Sequence, residues 1–386
     1  MSGLSMTNFK IDADRVVRWA QAFARAPSGQ TALFERDPQV QGFLSGPVAV
    51  ALTSGGLSFR RDAMGGLIVE VGDAGDGPCL MLMCYAMTHP ANRMKDPYSG
   101  ALIDGGKRIL GRGLAEQKGA LAAAIGAVAV AAQQKLKGRL VLAVTAAGET
   151  GRHDAAQAAL AAMDRVPDTA IIAIGTSGRL ALGNKGRIDI DIVVKGLASH
   201  SSTPWAGVNA IEGAQMVIER LAALNASAKE DALFGKATLV PTAIRSWPEA
   251  THTIQDEVRL VFDRRLLPGD KVDDVYEAIA EAAQLPEPWR VTVTKAAHMF
   301  PACIDVSGHL AQAVAKGSQA QGIAEPSVFY SNGALDAGLF CDAGKEAAMW
   351  GPGDMGMWHS DSESIGVDEL VQGAKGYLGL IQAYLT

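Results

Sequence analysis

The residues able to do chemistry cluster at the ends of apolar segments. GRGLAEQKG at 111–119 is a Gly-rich turn that puts Glu116 at the start of an Ala-rich helix, where the helix dipole favours a carboxylate. Glu116 therefore reads either as a site residue or as a capping charge. GRG lacks the third glycine of a GxGxxG turn, and no acidic residue follows a second strand at dinucleotide-binding spacing, so a nucleotide cofactor is not expected. Three further segments follow predicted strands: Cys84-Tyr85-Ala86-Met87, Gly148-Glu149-Thr150 and Ile174-Gly175-Thr176. In open α/β sheets ligands bind beyond the carboxyl ends of the strands, so these positions are the candidates for acid–base or metal chemistry. Glu149 has no evident structural duty there. Met81, Met83 and Met87 read as core packing, and Trp350 and Trp358, flanking a GPG turn, read equally as pocket wall or as packing.

The elements that must position these residues have a clear order. Residues 12–27 carry an amphipathic pattern through Val16, Val17, Ala20, Phe23 and Ala24 that stops at Pro27. β-prone stretches follow at 47–53, 57–61, 66–71 and 79–84, the last an unbroken apolar run suited to a strand covered on both faces. Helix 117–135, strand 139–145, helix 153–163 and strand 169–174 then alternate as βαβ units of a mostly parallel sheet. From Lys185-Gly186 the pattern becomes β-α-β-β-α-β, with RIDIDIVVKG alternating at period two, the order of a ferredoxin-like sandwich. Helix 307–320, strand 346–350 and helix 367–384 resume the α/β character. The expected fold class is α/β: residues 1–184 and 298–386 form the larger domain, and residues 185–297 form an inserted α+β domain.

Composition narrows the function. The 386 residues are 48% hydrophobic and 20% charged, which fits folded domains, and 35 basic against 41 acidic residues give a formal charge of −6. There is no basic stripe for phosphate backbones, so nucleic acid is not an expected partner. Four cysteines (Cys79, Cys84, Cys303, Cys341) without CxxC spacing fit a reducing compartment. MSGLSMTNFKID carries no signal-peptide core, and the apolar run at 119–132 falls short of a bilayer, so a cytoplasmic protein with no membrane partner is expected.

The ordered motifs GRG…KG at 111–119, GET at 148–150, NKG at 184–186, GLASHSSTPWAGVNAI at 196–211, DRRLLPGD at 263–270 and GPG followed by HSDSE at 351–363 carry a resemblance over nearly the whole chain. The chain resembles the co-catalytic zinc amidohydrolases and exopeptidases that include acetylornithine deacetylase, succinyl-diaminopimelate desuccinylase, aminoacylase and the carboxypeptidase G group. The resemblance implies a hydrolase whose inserted domain serves as lid and dimerisation domain, hence a homodimer, and a small-molecule substrate.

It also exposes departures. Such enzymes hold two zinc ions through a His, a bridging Asp, a Glu, a further Asp or Glu and a late His. In this chain Tyr85 stands for the first His and Met87 for the Asp that orients it. Glu116 stands for the bridging Asp, Glu149-Thr150 for a Glu-Glu pair of base and ligand, and Ile174 for the fourth ligand; only His359 is unchanged. Two adjacent dications need several carboxylates, and Tyr85, Met87, Thr150 and Ile174 supply none. The expectation is no paired zinc, with Glu116 and His359 as an incomplete metal set. His89 is a conceivable substitute ligand, though Pro90 matches the family's own loop. By resemblance Glu149 is the general base, His200 is the lid histidine that polarises the scissile carbonyl, and Tyr85, Thr150, His252 and Arg265 contact substrate. Glu363 reads as a helix-capping charge and Asp336 as a structural hydrogen-bonding residue. Hydrolysis without metal would suit an activated C–N bond such as a cyclic imide, a carbamoyl group or an acylated heteroatom. Two alternatives stand beside it: a deacylase or dipeptidase with one zinc at Glu116, Glu149 and His359, and a noncatalytic binding protein that keeps the fold.

Overall fold

A computed structural model of the protein describes residues 10–386 apart from 73, 74, 76 and 149. The chain divides into two compact units, one of residues 1–183, 303–329 and 340–386, the other of residues 184–302 and 330–339. The sequence-based boundary at 297/298 thus moves to 302/303, because the strand Arg290–Met299 runs on past 296. The segment 330–339, expected in the larger domain, groups with the second unit. Lys185 N–H donates to Ser331 O at 3.0 Å, and a side chain at Gly338 would lie 1.8 Å from Phe300 O.

The first unit is built on a nine-stranded sheet. Its centre is four parallel strands in the order Arg139–Thr145, Cys79–Tyr85, Thr169–Ala173, Glu346–Trp350. Every residue of Cys79–Tyr85 is buried, as an uninterrupted apolar strand covered on both faces must be. Leu67–Gly72 pairs antiparallel with Arg139–Thr145, so the sheet is mixed at its edges. Residues 47–53 are helical instead of extended. Pro38–Phe43, Leu44–Val48 and Ala49–Ser54 form successive helical turns. The buried residues Leu44, Val48, Ala51 and Leu52 recur there at helical spacing, which outweighs the β-branched composition.

The helix Gly119–Ala131 is buried on every side. Its small residues allow close approach: a Cβ at Gly126 would lie 2.6 Å from Val16 Cγ2. Leu114–Ala131 has the length and apolarity of a membrane span, and all of it lies inside the fold. A small antiparallel sheet of Leu102–Ile103, Arg108–Leu110 and Ser364–Gly366 joins two segments distant in sequence.

The second unit is a ferredoxin-like sandwich. Its antiparallel strands lie in the order Leu239–Trp247, Glu257–Leu266, Gly186–Lys195, Arg290–Met299. Ile188, Ile190, Ile192 and Val194 alternate inward against Ala210, Ala214, Val217 and Leu221 of the helix Ala210–Ala226, and Ile279 of Val272–Ala282 joins the same core.

Candidate active site

Gly113 takes a left-handed conformation (φ 84°), and a side chain there would meet Thr88 Cγ2 at 2.3 Å, so only glycine fits. The chain then makes the wide turn Leu114–Lys118 before entering Gly119–Ala131, and this turn carries Glu116. The turn is fixed from behind: Gly175 N–H donates to Glu116 O at 2.7 Å. Side chains at Gly175 and Gly353 would lie 1.8 and 2.0 Å from Ala115 O. The IGTSG and GPG loops therefore press directly on the turn, and their glycines permit it.

Glu116 and His359 come together. The Glu116 carboxylate is nearly buried, and its Oε2 lies 3.1 Å from His359 Nε2, so the imidazole presents its Nε2–H to the carboxylate. His359 is about 40% exposed and has φ 58°, a conformation that side-chain-bearing residues adopt uncommonly. Its other face is covered by His89, whose ring stacks at 3.9 Å and 15°. His89 Nδ1 in turn lies 3.0 Å from Pro90 O and 3.4 Å from Asn92 Nδ2. The result is an oriented carboxylate–imidazole pair open to solvent on one side, able to hold a positive charge or pass a proton.

Tyr85 ends its strand 4% exposed; Met87 and Ile174 are likewise buried. Met87 N–H donates to Ala147 O at 3.0 Å, continuing the pairing beyond the strand end. Thr150 turns back on its own loop, its Oγ1 3.4 Å from both Arg152 N and Arg152 O. Glu149 lies outside the described residues. Among the described residues, no three His, Cys, Asp or Glu side chains form a group able to hold a metal ion. Among the described residues the donors there are Glu116, His359 and the stacked His89, a single carboxylate, whereas a pair of zinc ions needs four or more donors with carboxylates between them.

The other candidates belong to the second unit. His200 is exposed and accepts at Nδ1 from Ser202 N–H (3.2 Å), with Ser202 Oγ also 2.8 Å away. The neutral ring therefore keeps its proton on Nε2 as a donor. The His252 ring lies 6.0 Å from that of His200, and an isolated bridge joins His200 to Thr253. Arg265 grips Asp263 through Nε (2.8 Å) and Nη2 (3.2 Å) and reaches Asn332 O with Nη1 (3.4 Å). Its guanidinium is thus held in one orientation by its own strand and the 330–339 segment.

Glu363, Lys118 and Trp350 take places that the sequence left open or did not reveal. Glu363 does cap a helical turn, accepting Ala115 N–H at 3.0 Å, but it does more than that. It is buried against Arg112 at 2.7 Å, with both side chains essentially inaccessible. Lys118 is also wholly buried, donates to Ala26 O at 2.7 Å and lies over the Phe43 ring. Burial pushes its ammonium down to about 7. Trp350 is mostly interior: its Nε1 donates to Gly178 O, and with Ile323, Pro326, Pro352 and Tyr377 it lines a cavity of about 400 Å³ behind the GPG turn.

The fold and these motifs match known proteins. Residues 88–383 match the family model described as peptidase family M20/M25/M40. The chain is 28% identical over 294 residues to an acetylornithine deacetylase of Myxococcus xanthus, covering 72% of this chain and 74% of that protein. Its fold is similar to a tripeptidase from Staphylococcus aureus (TM-score 0.74, 20% identity, 96% and 98% of the two chains). It is also similar to an M20 family metallo-carboxypeptidase from Sulfolobus solfataricus (TM-score 0.76, 16% identity, 96% and 99%). The chain belongs to peptidase family M20/M25/M40 and is a hydrolase of the amidohydrolase and peptidase type.

Proposed function

We propose that the protein hydrolyses an amide-like C–N bond of a small molecule without the two-zinc centre, with Glu149 as general base and His200 as oxyanion donor. The observation that carries this reading is the donor set. Tyr85, Met87 and Ile174 occupy the strand-end positions, all buried, and leave Glu116, His359 and the stacked His89 as the described donors, with one carboxylate among them. The relative named acetylornithine deacetylase supports an acylated nitrogen as the reacting group. An activated carbonyl, such as a cyclic imide or carbamoyl group, suits a site that must replace Lewis-acid polarisation with hydrogen-bond donors. The fixed tautomer of His200 supports its role, since the Nε2–H is the atom an oxyanion needs. Tyr85, Thr150, His252 and Arg265 are assigned to substrate contact. Homodimerisation through the second unit and a soluble, cytoplasmic enzyme complete the reading.

The test combines metal analysis with turnover on a panel of N-acyl amino acids, carbamoyl compounds and cyclic imides, before and after chelation. Turnover is expected to survive chelator, to fall about 10²–10⁴-fold in Glu149→Gln and about 10²–10³-fold in His200→Ala. Stoichiometric zinc whose removal abolishes turnover would replace this reading with a one-metal deacylase or dipeptidase. Absence of turnover together with tight binding of one panel member would replace it with a binding protein.

A further inference from the structure

Arg112 stands four residues before Glu116, and Glu363 stands four after His359. Their side chains meet in an ion pair of 2.7 Å with 0% and 1% of each exposed. The second carboxylate oxygen, Glu363 Oε1, accepts from Ala115 N–H at 3.0 Å, the peptide immediately before Glu116. Glu363 O accepts from Gly111 N–H at 3.1 Å, and Arg112 Nη2 donates to Ala91 O at 3.2 Å, in the loop that holds His89. Beyond the pair, Ser364, Ile365 and Gly366 run antiparallel to Leu110, Ile109 and Arg108, so the two segments are in strand register up to the ion pair itself. Three separate stretches, bearing Glu116, His359 and His89, are thus tied to one buried pair of opposite charges.

We propose that Arg112 and Glu363 are positioning residues that set the spacing of Glu116, His359 and His89, holding the carboxylate–imidazole contact and the stacked rings in the arrangement the hydrolase uses. A buried ion pair is a poor source of net stability, because its attraction mainly offsets the cost of taking both charges out of water. What it supplies is directionality. The guanidinium offers donors in one plane and the carboxylate accepts in fixed directions, so the pair admits one relative placement of the two loops, where an apolar contact would admit several. The strained φ of His359 requires such over-determination by its surroundings.

This proposal rests on the reading of Glu116 and His359 as part of the working centre, and its test has one arm independent of turnover. The double variant Arg112→Met/Glu363→Leu removes both charges at similar volume, so neither is left buried alone. The imidazole resonances of His89 and His359 report the ring stack directly. They are expected to move in the double variant, with cooperative unfolding retained, and to stay nearer wild type in Arg112→Lys, which keeps both charges and the Glu363 acceptor for Ala115 N–H. In the assay above, kcat should fall at least about 10-fold in the double variant with KM changed less than about 3-fold, and Arg112→Lys should keep more of it than the double variant does. Unmoved His89 and His359 resonances in a folded double variant would overturn the proposal whether or not the protein turns over substrate. So would a kcat that stays at the wild-type value. If the resonances move and no protein form turns over any substrate, the proposed function fails while the positioning role stands.

Discussion

Tyr85, Met87 and Ile174 at the strand ends differ in kind from Glu116 and His359 on the loops. The strand ends carry side chains that pack: all three are buried, and the backbone continues the pairing past the strand through Met87 N–H. The loops keep polar partners at hydrogen-bond distance, a backbone held in a disfavoured conformation and a buried ion pair beneath them. The loops thus keep polar groups in contact where the strand ends carry buried side chains.

The largest effect belongs to the loops. Glu363→Ala leaves the Arg112 charge buried without its partner and should cost about 3–5 kcal/mol of stability by urea unfolding. A cost under 1 kcal/mol would mean that the loops are no better supported than the strand ends. Next, Tyr85→His, Met87→Asp and Ile174→Glu together return imidazole and carboxylate to the packed side. Zinc, measured by calorimetry, should then bind about 100-fold tighter than to wild type, the scale on which ligands and the groups that orient them matter. The variant should melt lower than wild type without the ion and recover on adding it. No gain would show that the strand ends no longer point their side chains into the cleft.

The smallest effect concerns Lys118. Burial, countered in part by the nearby Glu363 carboxylate, lowers its folded value from the ordinary 10.5 to about 7. Between those values the unfolded chain binds a proton that the folded chain does not, so this group makes stability rise with pH across the window and penalises folding most below it. Lys118→Met should remove that slope, so its stability advantage over wild type shrinks by about 1 kcal/mol per pH unit between 7.5 and 8.5. A gap constant with pH would show that the ammonium stays protonated in the fold.

Much of this architecture is written in local pattern. The apolar run Cys79–Tyr85, the period-two alternation of Gly186–Lys195 and the ordered motifs identify the sheet and the sandwich because each depends on burial of a continuous face. The pairing of Glu116 with His359 follows from motif order once the resemblance is accepted. The ion pair of Arg112 with Glu363 does not, because it joins residues far apart in sequence and a lone Glu near a helix start fits capping equally well. Their matching four-residue offsets from Glu116 and His359 were the one available signal. The helical turns at Pro38–Ser54 were hidden by β-branched residues whose three- and four-residue spacing mattered more than their identity.

The helix Gly119–Ala131 packs against Val367–Leu385, the final helix of the chain. An all-apolar rod is thus covered in part by a segment far along the sequence, and that part of its surface stays open until the two have docked. Undocking Val367–Leu385 would uncover one side of a segment as apolar as a bilayer span, so that helix guards against aggregation as much as it completes the core.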